Sequence, residues 1–141
     1  MTKLEVTIDV IVHATEDIEK FYESFNEMFG LEKEVFSISH VSGHFDNPIT
    51  TISAKLSKKE ASKFLEKFLE NITETQKNEI INQIEERTEN SKMYLRLDKQ
   101  EFVQGKIKFS EREAIRLKIH TPIYNKKDTF KVFSKIFQKV N

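Results

Sequence analysis

The segment SGHFDNPIT, Ser42–Thr50, gathers the side chains of this sequence that most need a chemical explanation. A turn between two strands explains Gly43, Asp46, Asn47 and Pro48, because all four are residue types that favour turns. A turn does not explain why His44 and Phe45 stand in this segment. A ring exposed at a loop tip can stack on an unpaired base, and it can equally fold back onto the sheet. The loop is therefore predicted as either an ordinary hairpin turn or a ligand contact.

Metal binding and catalysis are the activities that the sequence disfavours. The four histidines lie on separate segments without an HExxH spacing, and the sequence has no Cys. It contains no nucleophile elbow, phosphate-binding loop or dinucleotide glycine motif. The carboxylates that can be placed lie on exposed helix faces, where solvation explains them. We therefore predict a non-catalytic protein with no metal and no cofactor.

Composition indicates one soluble domain. The 141 residues are enough for a domain with a core, and no linker or Pro/Gly-rich break divides residues 1–141. The lack of Cys fits a reducing compartment, and no apolar run approaches the roughly 20 residues of a membrane span. The N-terminus lacks the apolar core of a signal peptide. A cytoplasmic protein is expected.

The balanced formal charge hides an asymmetry along the chain. The sequence has 23 basic and 23 acidic residues in total. Residues 1–56 contain 4 basic and 10 acidic residues, whereas residues 57–141 contain 19 basic and 13 acidic residues. Such asymmetry is typical of proteins that contact nucleic acid or membranes, and also of proteins whose two halves pair with each other.

Alternation of apolar and polar residues predicts six strands. They are residues 3–12, 33–40, 49–56, 91–98, 104–109 and 114–120. Runs of adjacent strands favour a mostly antiparallel sheet with helices packed on one face. The predicted fold class is an α+β two-layer sandwich, with the element order β-α-β-β-α-α-β-β-β-α.

Helical spacing of apolar residues predicts the four helices of that order. Thr15 is the predicted N-cap of the first helix, and Gly30 is predicted to end it in a left-handed conformation. The second helix is predicted to begin at Ser57 and the third at a capping box of Thr73 and Gln76. The last helix is predicted over residues 126–140.

The predicted sheet has a basic outer face. If Leu95, Ile107 and Leu117 point toward the helices, the neighbouring residues point outward: Tyr94, Arg96, Lys106, Lys108, Arg116, Lys118 and His120. Cations on a sheet can meet RNA phosphates while rings stack on bases. The face can instead be solvated, with its cations paired to Glu5 and Asp9, or it can bind a second copy or another protein.

Several segments carry a family resemblance. They are VHATED at 12–17, GHFDNPIT at 43–50, YLRLDKQ at 94–100 and GKIKF at 105–109. In their order and spacing, they make the sequence resemble an archaeal RNA-binding protein family described as a predicted exosome subunit with a double-stranded-RNA-binding-like fold. The resemblance extends to about Ile119 and excludes the final helix. The chain departs from the family pattern at Asp46, where glycine is expected.

The resemblance implies a ribosomal-protein-five-like sandwich and a role in RNA binding. By position, it implies candidate RNA contacts at His44, Asn47, Arg96, Lys99 and Gln100, and it implies that Asp98 fixes a turn or orients Arg96. Lys99 and Arg96 suit phosphates, and amide side chains can read base edges or 2′-hydroxyls. The alternative interpretation of the DKQ segment is a polar turn in which Asp98 caps a helix.

These observations predict a non-catalytic RNA-binding protein associated with RNA processing or exosome-type degradation. It would contact structured or double-stranded RNA with weak sequence preference, through the basic sheet face and the adjoining loops. The alternative is an assembly or adaptor protein that uses the same face to form a homodimer or to dock on a protein.

Overall fold

The sheet and helices are defined by a computed structural model that describes residues 3–42, 48–112 and 114–138. The strands are β1 Glu5–Val12, β2 Ser37–Ser42, β3 Pro48–Ser57, β4 Thr88–Glu89, β5 Lys92–Asp98 and β6 Ala114–His120. The α-helices are α1 Ile18–Phe29, α2 Lys59–Glu70, α3 Glu74–Asn82, α4 Ile84–Arg87, α5 Lys99–Val103 and α6 Thr129–Gln138. Short 3-10 helices span Lys33–Val35 and Lys126–Asp128.

Within the described residues, the six strands form one sheet in the order β2-β3-β1-β6-β5-β4, with antiparallel pairing throughout. The alternation in β1 buries Val6, Ile8, Val10 and Val12 under the helices. The predicted α+β class with a mostly antiparallel sheet is confirmed. None of the helices formed by the described residues is long and apolar enough to cross a membrane.

Aromatic rings join helix α1 to α2, to α5 and to the residue that precedes β2. The Phe25 ring lies 4.7 Å from the rings of both Phe36 and Phe102, measured between centroids. The Phe29 ring lies 4.8 Å from that of Phe64. Because Phe102 belongs to α5 and is fully buried, these contacts fix α5, and the end of β5 that precedes it, against α1.

Two of the predicted helix boundaries are confirmed by their capping geometry. Gly30 has φ 68°, and its N–H donates to the Asn26 and Phe25 carbonyls at the end of α1. A side chain at this φ is strained, which explains why glycine ends the helix here. Thr73 and Gln76 form the predicted capping box at the start of α3.

The other predicted helix starts differ from the structure. Asp17, and not Thr15, caps α1 by accepting from the Glu19 N–H. Lys58 occupies the N-cap of α2 without a side-chain hydrogen bond, so the Ser57 prediction is wrong. The last helix begins at Thr129 rather than at residue 126, where a 3-10 turn forms first.

The segment predicted as a strand at 104–109 is not one. Asp98 starts α5 immediately after β5, and the chain returns through Gly105 at φ 83°. The returning segment makes an isolated bridge between Phe109 and Leu97, and the Asp98 N–H donates to the Lys108 carbonyl. Since β6 pairs with β5 directly, Lys108 lies along the other edge of β5, not on a strand between β5 and β6. Lys106 lies beside α5, where its N–H donates to the Glu101 carbonyl.

Candidate nucleic-acid interface

Strands β5 and β6 hold a run of cations on the side of the sheet away from the helices. Their buried residues alternate with outward ones, as the pleat of a strand requires. In cross-strand register the outward pairs are Lys92 with His120, Tyr94 with Lys118 and Arg96 with Arg116. We call these six side chains the basic face.

The Arg96–Arg116 pair is the unusual feature of the basic face. Side chains directly opposite on antiparallel strands have Cβ atoms about 4.5–5.5 Å apart, and like charges there destabilise the sheet. Both arginines are exposed, and among the described residues neither guanidinium forms an ion pair with a carboxylate. An anion bound between the two guanidinium groups would offset their mutual repulsion, and guanidinium groups bind phosphate and carboxylate groups well.

The acidic side chains of β1 neutralise only one end of the basic face. A Glu5 carboxylate oxygen lies 3.7 Å from His120 Nδ1, and the other lies 4.0 Å from Lys55 Nζ. Asp9 is the register partner of Arg116, but its carboxylate accepts from Ser53 Oγ at 2.5 Å. Among the described residues, ion pairing therefore reaches the His120 end of the basic face and not the arginine end.

The exposed aromatic ring of Tyr94 lies within the same face. Tyr94 is 42% exposed and stands beside Arg96 on β5 and opposite Lys118 on β6. A half-exposed ring flanked by cations can stack on a base while the cations hold phosphates.

The structure gives Lys99 a different role from the predicted phosphate contact. Its side chain is 5% exposed, and Nζ donates to the Ile11 carbonyl at 2.5 Å and to Glu16 Oε1 at 3.1 Å. The same Glu16 oxygen accepts from the His13 N–H at 2.9 Å. The Lys99 ammonium therefore joins the segments 12–17 and 94–100 through its ion pair with Glu16, and Lys99 is not one of the phosphate contacts that we propose.

Asp98 of the DKQ segment follows the alternative interpretation. Asp98 is the N-cap of α5, where its carboxylate accepts from the Glu101 N–H at 2.9 Å. Gln100 is exposed on the first turn of α5. The polar turn with Asp98 as a helix cap is confirmed. The predicted contacts His44 and Asn47 lie outside the described residues.

A cavity of about 340 Å³ lies at the arginine end of the basic face. We call it the arginine pocket; its lining is Ile11, His13, Arg96, Lys99, Glu111, Arg112, Ala114 and Arg116. Neither His13 nor Arg112 was predicted as an RNA contact from the sequence. His13 belongs to the 12–17 segment that carries the family resemblance, which is the one signal that could have indicated it. No sequence pattern indicated Arg112. Within 3–42, 48–112 and 114–138, no three His, Cys, Asp or Glu side chains are grouped as a metal site would require.

A two-layer sandwich with one open, cationic sheet face is an architecture suited to binding a polyanion. The chain belongs to the RNA-binding family, whose model matches residues 5–121. This confirms the resemblance to an archaeal RNA-binding family that was inferred from the sequence motifs.

Relatives in archaea agree with this assignment. The chain is 32% identical over 130 residues to an uncharacterized protein of Methanocaldococcus jannaschii, covering 83% of this chain and 86% of that one. It is 32% identical over 116 residues to an RNA-binding protein of Pyrococcus abyssi, covering 78% and 75%. A crystal structure of an Archaeoglobus fulgidus protein superposes with a TM-score of 0.80 at 26% identity, covering 96% of this chain and 99% of that one.

Proposed function

We propose that the protein is a non-catalytic RNA-binding protein whose basic face contacts the phosphates of structured or double-stranded RNA. The observation that carries the proposal is the Arg96–Arg116 pair, two opposed guanidinium groups that form no ion pair with a carboxylate among the described residues. Family membership and the name of the Pyrococcus abyssi relative support the choice of RNA over other polyanions.

The mechanism is neutralisation of phosphates together with contacts to shape and 2′-hydroxyls. Outward side chains repeat about every 6.6 Å along a strand, so the basic face presents rows of cations to a backbone. None of these residue types in this arrangement selects a base sequence strongly, and weak sequence preference follows. Stacking by Tyr94 adds affinity for unpaired bases at the margin of a helix.

The proposed contact surface extends beyond the basic face. Lys108, at the edge of β5, and Lys106, beside α5, are both exposed and widen the surface on that side. Gln100 is exposed at α5, beyond the arginine end. His44 and Asn47 stay in the proposal on the strength of the sequence resemblance. That resemblance is also the support for a role in RNA processing and for exosome-type proteins as partners.

Salt dependence of RNA binding tests this function. Fluorescence anisotropy with duplex and single-stranded RNA is expected to show binding at low salt that weakens as salt rises. Release of counterions by three or four cations gives a slope of log K against log salt of roughly −2 to −4. A protein that binds no RNA even at low salt contradicts the proposal. A salt-insensitive homodimer in light scattering, without RNA binding, would favour the assembly protein instead.

A further inference from the structure

The arginine pocket lies where the basic face ends. It is bordered by the last residues of β1, by α5, by β5, by the start of β6 and by the segment of Glu111 and Arg112. A strand of RNA that follows β5 and β6 toward the arginine end therefore arrives at a recess with side chains from five parts of the chain around it.

The charge of the pocket suits a dianion. Among its described lining residues, three arginines face one carboxylate, that of Glu111, which leaves two positive charges. Lys99 adds none, because Glu16 neutralises it at 3.1 Å. Asp9, the register partner of Arg116, is outside the lining and forms no ion pair with an arginine among the described residues. A phosphate monoester carries about −1.5 to −2 at neutral pH, whereas an internal phosphodiester carries a single charge.

The size and the donors of the pocket agree with that ligand. A volume of about 340 Å³ is at the lower end of small-ligand sites and accepts about one nucleotide. Guanidinium groups bind phosphate oxygens through paired N–H donors, and a terminal phosphate offers three oxygens where an internal one offers two.

We propose that the arginine pocket binds the terminal phosphate of an RNA chain, with Arg96, Arg112 and Arg116 as its ligands. The proposal rests on the proposed function, since the remainder of the RNA lies on the basic face. The chemistry recognised is a phosphate monoester, which either the 5′ or the 3′ end of an RNA can supply.

The test compares four RNA oligonucleotides of one sequence by anisotropy: 5′-phosphate, 3′-phosphate, hydroxyl at both ends, and hydroxyl-ended with two more nucleotides, whose two phosphodiesters add two charges. The last matches the added charge without a terminal phosphate. One phosphorylated RNA is expected to bind about tenfold tighter than both hydroxyl-ended RNAs, as charge-assisted hydrogen bonds at a dianion allow. The two phosphorylated arms tell which end is bound.

Arg112→Gln is the matched variant, because Arg112 is exposed and its loss does not disturb the core. The preference ratio is expected to fall to about one, whereas Lys63→Gln, an exposed charge on α2, keeps it. Equal binding of all four RNAs by the unaltered protein overturns the terminal-phosphate inference and leaves the proposed function standing. Failure to bind any of them overturns both.

Discussion

Arg96→Glu is expected to lower RNA affinity by about a hundredfold at low salt while slightly raising the stability of the fold. The substitution removes one phosphate contact and places a carboxylate opposite Arg116, which neutralises a second. Two phosphate contacts at about 1.4 kcal/mol each give a hundredfold. An opposite-charge pair in place of a like-charge pair adds roughly 0.2–1 kcal/mol to the free energy of unfolding.

Anisotropy across a salt series and urea unfolding measure the two effects on the same protein. The slope of log K against log salt is expected to become shallower by about 2. Lys63→Glu on α2 makes the same charge reversal on an exposed side chain away from the sheet and is the matched control. If both variants lose affinity equally, net charge and not the basic face governs binding. If Arg96→Glu destabilises the protein, the two arginines do not repel each other.

Glu16→Ala is expected to destabilise the protein by about 2–3 kcal/mol. Among the described residues, it leaves the Ile11 carbonyl as the one hydrogen-bond partner of the Lys99 ammonium, and Lys99 is 5% exposed. Removing one member of a buried ion pair typically costs about 3–5 kcal/mol, and the 29% exposure of the Glu16 side chain reduces that figure here. The substitution also removes the hydrogen bond that the backbone N–H of His13 donates to the Glu16 carboxylate.

Chemical denaturation of a small set of variants separates this effect from a general loss of charge. Glu19→Ala breaks the ion pair between Glu19 and Lys33, whose two side chains are each 57% exposed. It is expected to lower the free energy of unfolding by about 0.5 kcal/mol or less. Adding Lys99→Met to Glu16→Ala is expected to restore part of the loss, because no unpaired charge then remains buried. A Glu16→Ala protein as stable as the Glu19→Ala protein would show that the pair does not hold the two segments together.

The elements that sequence periodicity predicted best are those whose pattern is set by one buried face. The alternation in β1 gave that strand to within two residues, and the stripe from Ala61 to Leu69 gave α2. The capping box at Thr73 and the end of α1 at Gly30 were predicted because each depends on a local backbone geometry. Fold class followed from the order of these elements.

Features that depend on distant contacts were missed. GKIKF alternates like a strand, but α5 forms immediately before it and the chain returns at the edge of β5 with an isolated bridge. Lys99 looks like a surface cation in the sequence, yet its partner Glu16 is 83 residues away. The arginine pocket is assembled from five parts of the chain, so no spacing rule could have predicted it.

The most direct measurement is an NMR titration of the labelled protein with RNA, read as amide shift changes along the chain. The account predicts that the largest changes fall on β5 and β6, centred on Tyr94, Arg96 and Arg116, with α2 unaffected. Changes centred on the helical layer, with β5 and β6 unmoved at saturating RNA, would contradict the basic face as the RNA-binding surface.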